Sequence, residues 1–226
     1  MSVILFFRKA LLGLLWGMLL WLTLLMVRIT VQYIPYSSTV AFLQIKQTEV
    51  IGLWWYLPVF YTHVYTALFT LVAGFTQFQK RLLRPPARLH RALGYFYVIL
   101  ILFLAAPSGL LMGWVANGGT VAQAFFMTLA VCWWFFTAKA LRAAQQKRFL
   151  EHRDWMLRSY ALTLSAITLR LWKLILVKLF DPAPMDVYIV VSGLSWIPNW
   201  LIAEWIIFRK HRKVPLGNLL ANKLLK

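Results

Sequence analysis

Apolar residues run along this chain in six long blocks, at about 10–27, 54–78, 93–114, 121–141, 157–179 and 187–208, separated by polar stretches. A helix of roughly 20 residues crosses a ~30 Å hydrocarbon core, and each block meets or approaches that length. Lipid offers the backbone no hydrogen-bond partner, so blocks of this kind are predicted to be helices. The predicted fold class is all-α, a polytopic transmembrane bundle of six helices forming one integral membrane domain over residues 1–226. No connection is long enough for a separate soluble domain. The longest, 28–53, carries Ser38 as a predicted N-cap followed by Ala41, Phe42 and Ile45 at helical spacing, which predicts a short helix on the outer face.

Composition agrees with the pattern: 62% of the 226 residues are apolar, 13% are charged and twelve are Trp. The mean hydropathy of +0.70 is far from that of soluble domains. Arg8 and Lys9 precede the first block as they would in a signal peptide. The block is too long for a signal core, however, and Val27-Arg28-Ile29 offers no small-residue cleavage site, so a retained anchor is expected.

Charge orients the chain. Arg8 and Lys9 precede helix one. Lys80, Arg81, Arg84, Arg88 and Arg91 lie between helices two and three, and Lys139, Arg142, Lys147, Arg148, Arg153 and Arg158 around the connection of four and five. Arg209, Lys210, Arg212, Lys213, Lys223 and Lys226 end the chain. The alternate connections hold few cations, so the positive-inside rule predicts both termini in the cytoplasm and a bacterial inner membrane as the location. The net charge of +18 is thereby a topology signal and an attraction to anionic lipid head groups, not a nucleic-acid footprint.

Motifs for nucleotide, acyl-transfer or zinc chemistry are absent from the sequence, which leaves enzyme activity open. Cys132 is the single cysteine, so disulfides and thiolate-held clusters within one chain are excluded. Attention falls on charges at membrane depth. His63 and Arg170 each lie roughly 13 Å below the outer surface at 1.5 Å per residue, on helices two and five. Lys173 follows on the same face as Arg170. Intramembrane ionisable residues usually mark function, and these three form a candidate outward anion site. Glu204, at the level of Arg158, is expected to form an ion pair with it. Pro58, Pro107 and Pro198 are candidates for kinks around a cavity, and Gly109-Leu-Leu-Met-Gly113 for helix packing.

A weak internal repeat adds a second candidate. Hairpins two–three and four–five each close through a basic loop ending in His-Arg, at His90-Arg91 and His152-Arg153. If the hairpins are parallel repeats, the two histidines converge at the cytoplasmic mouth. There they would suit one b-type haem as axial ligands, with Arg91, Arg153 or Arg158 on its propionates. Two function classes follow: a membrane electron-transfer protein carrying haem b, or a cofactor-free transporter or lipid-interacting protein with an outward anion site. The paired His-Arg motifs favour the redox class. Implied partners are the bilayer, anionic head groups, and a redox partner or a second copy of the chain.

The segments His90-Arg-Ala-Leu-Gly94-Tyr-Phe-Tyr97 and Glu151-His-Arg-Asp-Trp155-Met-Leu-Arg158-Ser-Tyr-Ala-Leu-Thr163, with Thr168-Leu-Arg170, resemble the signature segments of a bacterial membrane-protein family catalogued as domain of unknown function 2306. The resemblance covers roughly 63–173. It implies that His63, His90, Gly94, His152, Arg153, Trp155, Arg158 and Arg170 belong to the family pattern, and it implies no activity.

Overall fold

The computed structural model describes residues 2–78 and 88–212, all of whose regular structure is helical. Lys80, Arg81, Arg84 and the cations from Lys213 onward lie outside the described residues. Helix α1 spans Ser2–Val31, α2 Gln47–Gly52, α3 Tyr56–Gln77, α4 Arg88–Ile99, α5 Ala106–Trp114, α6 Gly119–Gln145, α7 Phe149–Thr163, α8 Ser165–Phe180, α9 Pro184–Leu194 and α10 Ile197–Arg212. Joined end to end, these give five segments long and apolar enough to cross a membrane: Tyr56–Gln77, Arg88–Trp114, Gly119–Gln145, Phe149–Phe180 and Pro184–Arg212. The sixth helix is α1, whose stretch Trp16–Val31 is apolar.

Several boundaries differ from the hydropathy blocks, each for a physical reason. The fifth span begins at Phe149, not near 157, because Glu151-His-Arg-Asp is helical although polar. His152 therefore sits in the first turn of a helix, and the connection to α6 shrinks to residues 146–148. The last span is broken between Leu194 and Ile197, just ahead of Pro198, which has no N–H to return to the preceding turn. Pro58, by contrast, falls in the first turn of α3, where a missing N–H does no harm, and it kinks nothing. The short outer helix begins at Ala41 rather than after Ser38, as a 3-10 turn over Ala41–Lys46 running into α2, with Val40 at its N-cap and no side-chain cap.

Pro107 has the largest consequence. Ahead of it the chain passes from α4 into a π-helix over Leu100–Ala105 before resuming as α5. A proline donates nothing to the carbonyls four or five residues back, and at Leu102, five back, a side chain takes its place. Trp134 Nε1 donates to Leu102 O at 3.1 Å, and Ser108 Oγ donates to Leu104 O at 2.5 Å.

The centre of the bundle is polar and closed. Tyr97 is fully buried, and its hydroxyl lies 2.8 Å from both Ser159 Oγ and Thr163 Oγ1. Trp133 Nε1 donates to Thr163 Oγ1 at 3.0 Å, and Thr137 Oγ1 lies 2.7 Å from Ser159 Oγ. Each such bond contributes about 0.5–1.5 kcal/mol net, and a lone buried hydroxyl would cost more. Gly74 makes room for this centre, since a Cβ there would stand 2.5 Å from the Tyr160 ring and 2.9 Å from that of Tyr97.

The breaks in the last two spans meet. Asn199 Nδ2 lies 3.2 Å from Ala161 O, 3.0 Å from Thr168 Oγ1 and 3.1 Å from Ser195 O, and Thr168 Oγ1 donates to Ser195 O. One amide thus ties the α7–α8 junction to the α9–α10 junction.

Candidate functional site

The ends of α6 and α10 and the starts of α4 and α7 carry the basic residues Arg142, Arg209, Lys210, Arg212, Arg88, Arg91 and Arg153. The opposite half of the bundle holds a cavity of about 420 Å³. Its walls come from α1, α3, α5, α6, α8 and α9 and are mainly apolar, with Phe60, Met112 and Trp133 among them. His63, Arg170 and Lys173, the three residues expected to form an outward site, all line it. Shared depth on two helices thereby becomes shared space.

His63 is held in one orientation. Its Nδ1 donates to Ala105 O at 2.9 Å, the last carbonyl of the π-helix. The ring rests on Gly109, where a Cβ would lie 2.9 Å from Cε1 and 3.1 Å from Nδ1. A carbonyl can only accept, so Nδ1 carries the proton and the Nε2 lone pair faces the cavity. Nε2 has no hydrogen-bond partner among the described residues. Gly113, one turn on, serves packing: a Cβ there would meet Met127 N of α6 at 3.1 Å.

Arg170 lines the cavity and keeps exposed surface. Nη1 donates to Ala166 O of its own helix at 2.7 Å. Among the described residues neither Arg170 nor Lys173 forms an ion pair. His63 and Tyr33 both lie near Arg170. Lys46, also on the wall, differs: it is 2% exposed, pairs with Glu49, and donates to Val115 O at 2.6 Å. The cavity therefore carries two positive charges with no protein carboxylate to match them. Such a charge at membrane depth needs an anion or water.

The basic side gathers the second candidate set differently. His90 and His152 lie in the first turns of α4 and α7, close enough for their charges to interact. His152 Nδ1 donates to Ala140 O at 2.9 Å, leaving Nε2 as its free nitrogen. His90 Nδ1 is buried without a hydrogen-bond partner among the described residues. The arginines do not converge on the pair. Arg153 holds Asp154 at 2.9 Å, and Asp154 also meets His211 at 2.7 Å. Arg158 makes a two-pronged bond to Glu204, at 2.6 and 2.8 Å, while stacking 4.5 Å over Trp155. That pair is the one expected from their shared level. Arg91 is exposed.

Sequence reasoning missed the supports of the cavity: Ala105, whose carbonyl aims His63, Gly109 as its seat, and Tyr33 beside Arg170. Only the Ala105-Ala-Pro107-Ser-Gly109 run, small residues around a proline inside an apolar block, marks the place in the sequence.

Residues 60–207, more than half of the chain, match the model of the family described as Predicted membrane protein (DUF2306), and the chain belongs to that family. The match extends past the signature segments to include α9 and most of α10. No curated protein and no solved structure matches the chain.

Proposed function

We propose that this member of the DUF2306 family binds an amphipathic anion in the cavity of His63, Arg170 and Lys173, as a transporter or lipid-interacting protein of the membrane. One observation carries the reading: Arg170, inside a largely apolar cavity, has only the Ala166 carbonyl of its own helix as a partner among the described residues. An acidic head group supplies the missing charge, and the apolar walls accept an acyl or isoprenoid tail. By the Lys/Arg distribution the cavity lies toward the outer surface, so the ligand enters from outside or from the outer leaflet.

Binding of myristate to purified protein, followed by native mass spectrometry or by quenching of the tryptophans, tests it. A hydrogen bond to a charged group is worth about 1.5–3 kcal/mol, so Arg170→Leu is expected to weaken binding roughly 10- to 100-fold. Arg170→Lys should recover part of the loss, since an ammonium cannot reproduce the planar fork. Undiminished binding by the Leu variant would overturn the proposal.

A second reading, electron transfer through one b-type haem on His90 and His152, is favoured by the closeness of the two imidazoles and the free Nε2 of His152. Bound there, haem would supply one-electron chemistry. Its expected propionate partners fit less well, because Arg153 and Arg158 already hold carboxylates. Protein purified from haem-replete cells should then show a Soret band that His90→Ala and His152→Ala abolish. Colourless protein removes this reading and leaves the first untouched.

A further inference from the structure

We infer that the ligand of the outer cavity carries a hydroxyl beside its anionic group, and that His63 reads that hydroxyl; the inference rests on the binding reading above. The Ala105 carbonyl fixes the proton on Nδ1, at 2.9 Å, so the neutral ring presents Nε2 to the cavity as an acceptor. Protonating Nε2 would add a third positive charge beside Arg170 and Lys173. The cavity thus sets an acceptor near donors. A simple carboxylate has only acceptors: it satisfies Arg170 and leaves His63 Nε2 facing oxygen lone pairs. A head group with an anion and a neighbouring hydroxyl satisfies both at once.

The fixing of His63 is built into the fold. The π-helix over Leu100–Ala105 and Pro107 present the Ala105 carbonyl to α3, with Ser108 Oγ 3.1 Å from the same oxygen. Gly109 leaves room for the ring against α5, with Cε1 2.9 Å from where a Cβ would stand. A site that hydrogen-bonds a hydroxyl discriminates against the analogue lacking it, because its own polar group is then left unpaired. The ligand class is therefore a single-chain amphiphile with a hydroxylated acidic head. Its hydroxyl is borne either by the acyl chain, as in a 3-hydroxy fatty acid, or by glycerol, as in a lysophosphatidate.

Two matched pairs test this on the full chain in detergent: 3-hydroxymyristate against myristate, and 1-myristoyl lysophosphatidate against its 2-deoxy analogue. The wild type should prefer the hydroxylated member of at least one pair by about tenfold. The pair that shows the preference identifies which source carries the hydroxyl. In His63→Phe, which keeps the ring volume and removes the acceptor, the preference should vanish while the non-hydroxylated member still binds. Should the Phe variant fail to fold, Gly109→Ala displaces the ring instead and should reduce the preference likewise. Equal affinity within both pairs for the wild type overturns the inference and leaves the anion site standing. A preference that survives both His63→Phe and Gly109→Ala overturns the assignment to His63. Failure of all four amphiphiles to bind overturns the anion site itself, and this inference with it.

Discussion

The two halves of the bundle treat positive charge in opposite ways. On the basic side, where water is near, Arg153 and Arg158 are each matched by a carboxylate, Asp154 and Glu204. In the cavity half, Arg170 and Lys173 have none among the described residues, although both keep exposed surface. Lys46 shows that the chain can neutralise a buried cation in the same half, through Glu49 and the Val115 carbonyl. The deficit at Arg170 and Lys173 is thus specific to the cavity. It is the charge that the proposed anion would match.

The contrast depends on which half faces out, and the largest effect that can break it is categorical. Reporter fusions after Asn117 and after Arg212 should report opposite sides of the membrane, with the latter cytoplasmic. The same side for both would overturn the arrangement of spans, and a reversed pair would turn the cavity toward the cytoplasm.

Packing sharpens the comparison next. Gly74, in the closed half, faces two tyrosine rings that have nowhere to go, with a Cβ 2.5 Å from Tyr160. Overpacking of this kind costs about 1–3 kcal/mol, so Gly74→Ala should lower the thermal midpoint by several degrees. Gly109→Ala meets only an imidazole beside open space; displacing it gives up the bond to Ala105 O, about 1 kcal/mol, so its midpoint should fall by less than that of Gly74→Ala. Equal destabilisation by the two would mean that the cavity half is as tightly packed as the centre.

Arginine removal should then split the halves by sign. Arg158→Leu strands Glu204; that carboxylate is 36% exposed, so the loss should be about 1–2 kcal/mol rather than the full value for a buried pair. Arg170→Leu removes an unmatched charge and should raise the melting temperature in ligand-free detergent, since an Arg at the helix centre is disfavoured by about 2.5 kcal/mol or more on insertion scales. A Leu variant at 170 that melts lower than the wild type would show that the guanidinium is structural.

The smallest effect expected is at the joint between the halves. Asn199→Ala withdraws the amide shared by Ala161 O, Thr168 Oγ1 and Ser195 O and should cost about 1 kcal/mol, read in the same melts. No change would mean that Thr168 alone holds the two helix breaks together.

Much of this molecule is a property of the sequence alone. The number of apolar spans follows from hydropathy, and the positive-inside rule and a rise of 1.5 Å per residue supply an expected sidedness and an expected common depth for His63 and Arg170, because a bilayer imposes one dimension on every segment separately. The Arg158–Glu204 pair was legible for the same reason, as two opposite charges at one level. Helix ends were less so, since Glu151-His-Arg-Asp is polar yet helical and hydropathy reports the membrane core rather than the backbone. What only the tertiary structure decided is lateral: which faces turn toward one another at a given depth. Equal depth was the expectation for His63 and Arg170; the packing of the helices placed them around one cavity. The aim of His63 needed still more, because it is set by a backbone carbonyl that the π-helix ahead of Pro107 turns toward α3, and main-chain groups carry no signature in the side-chain sequence.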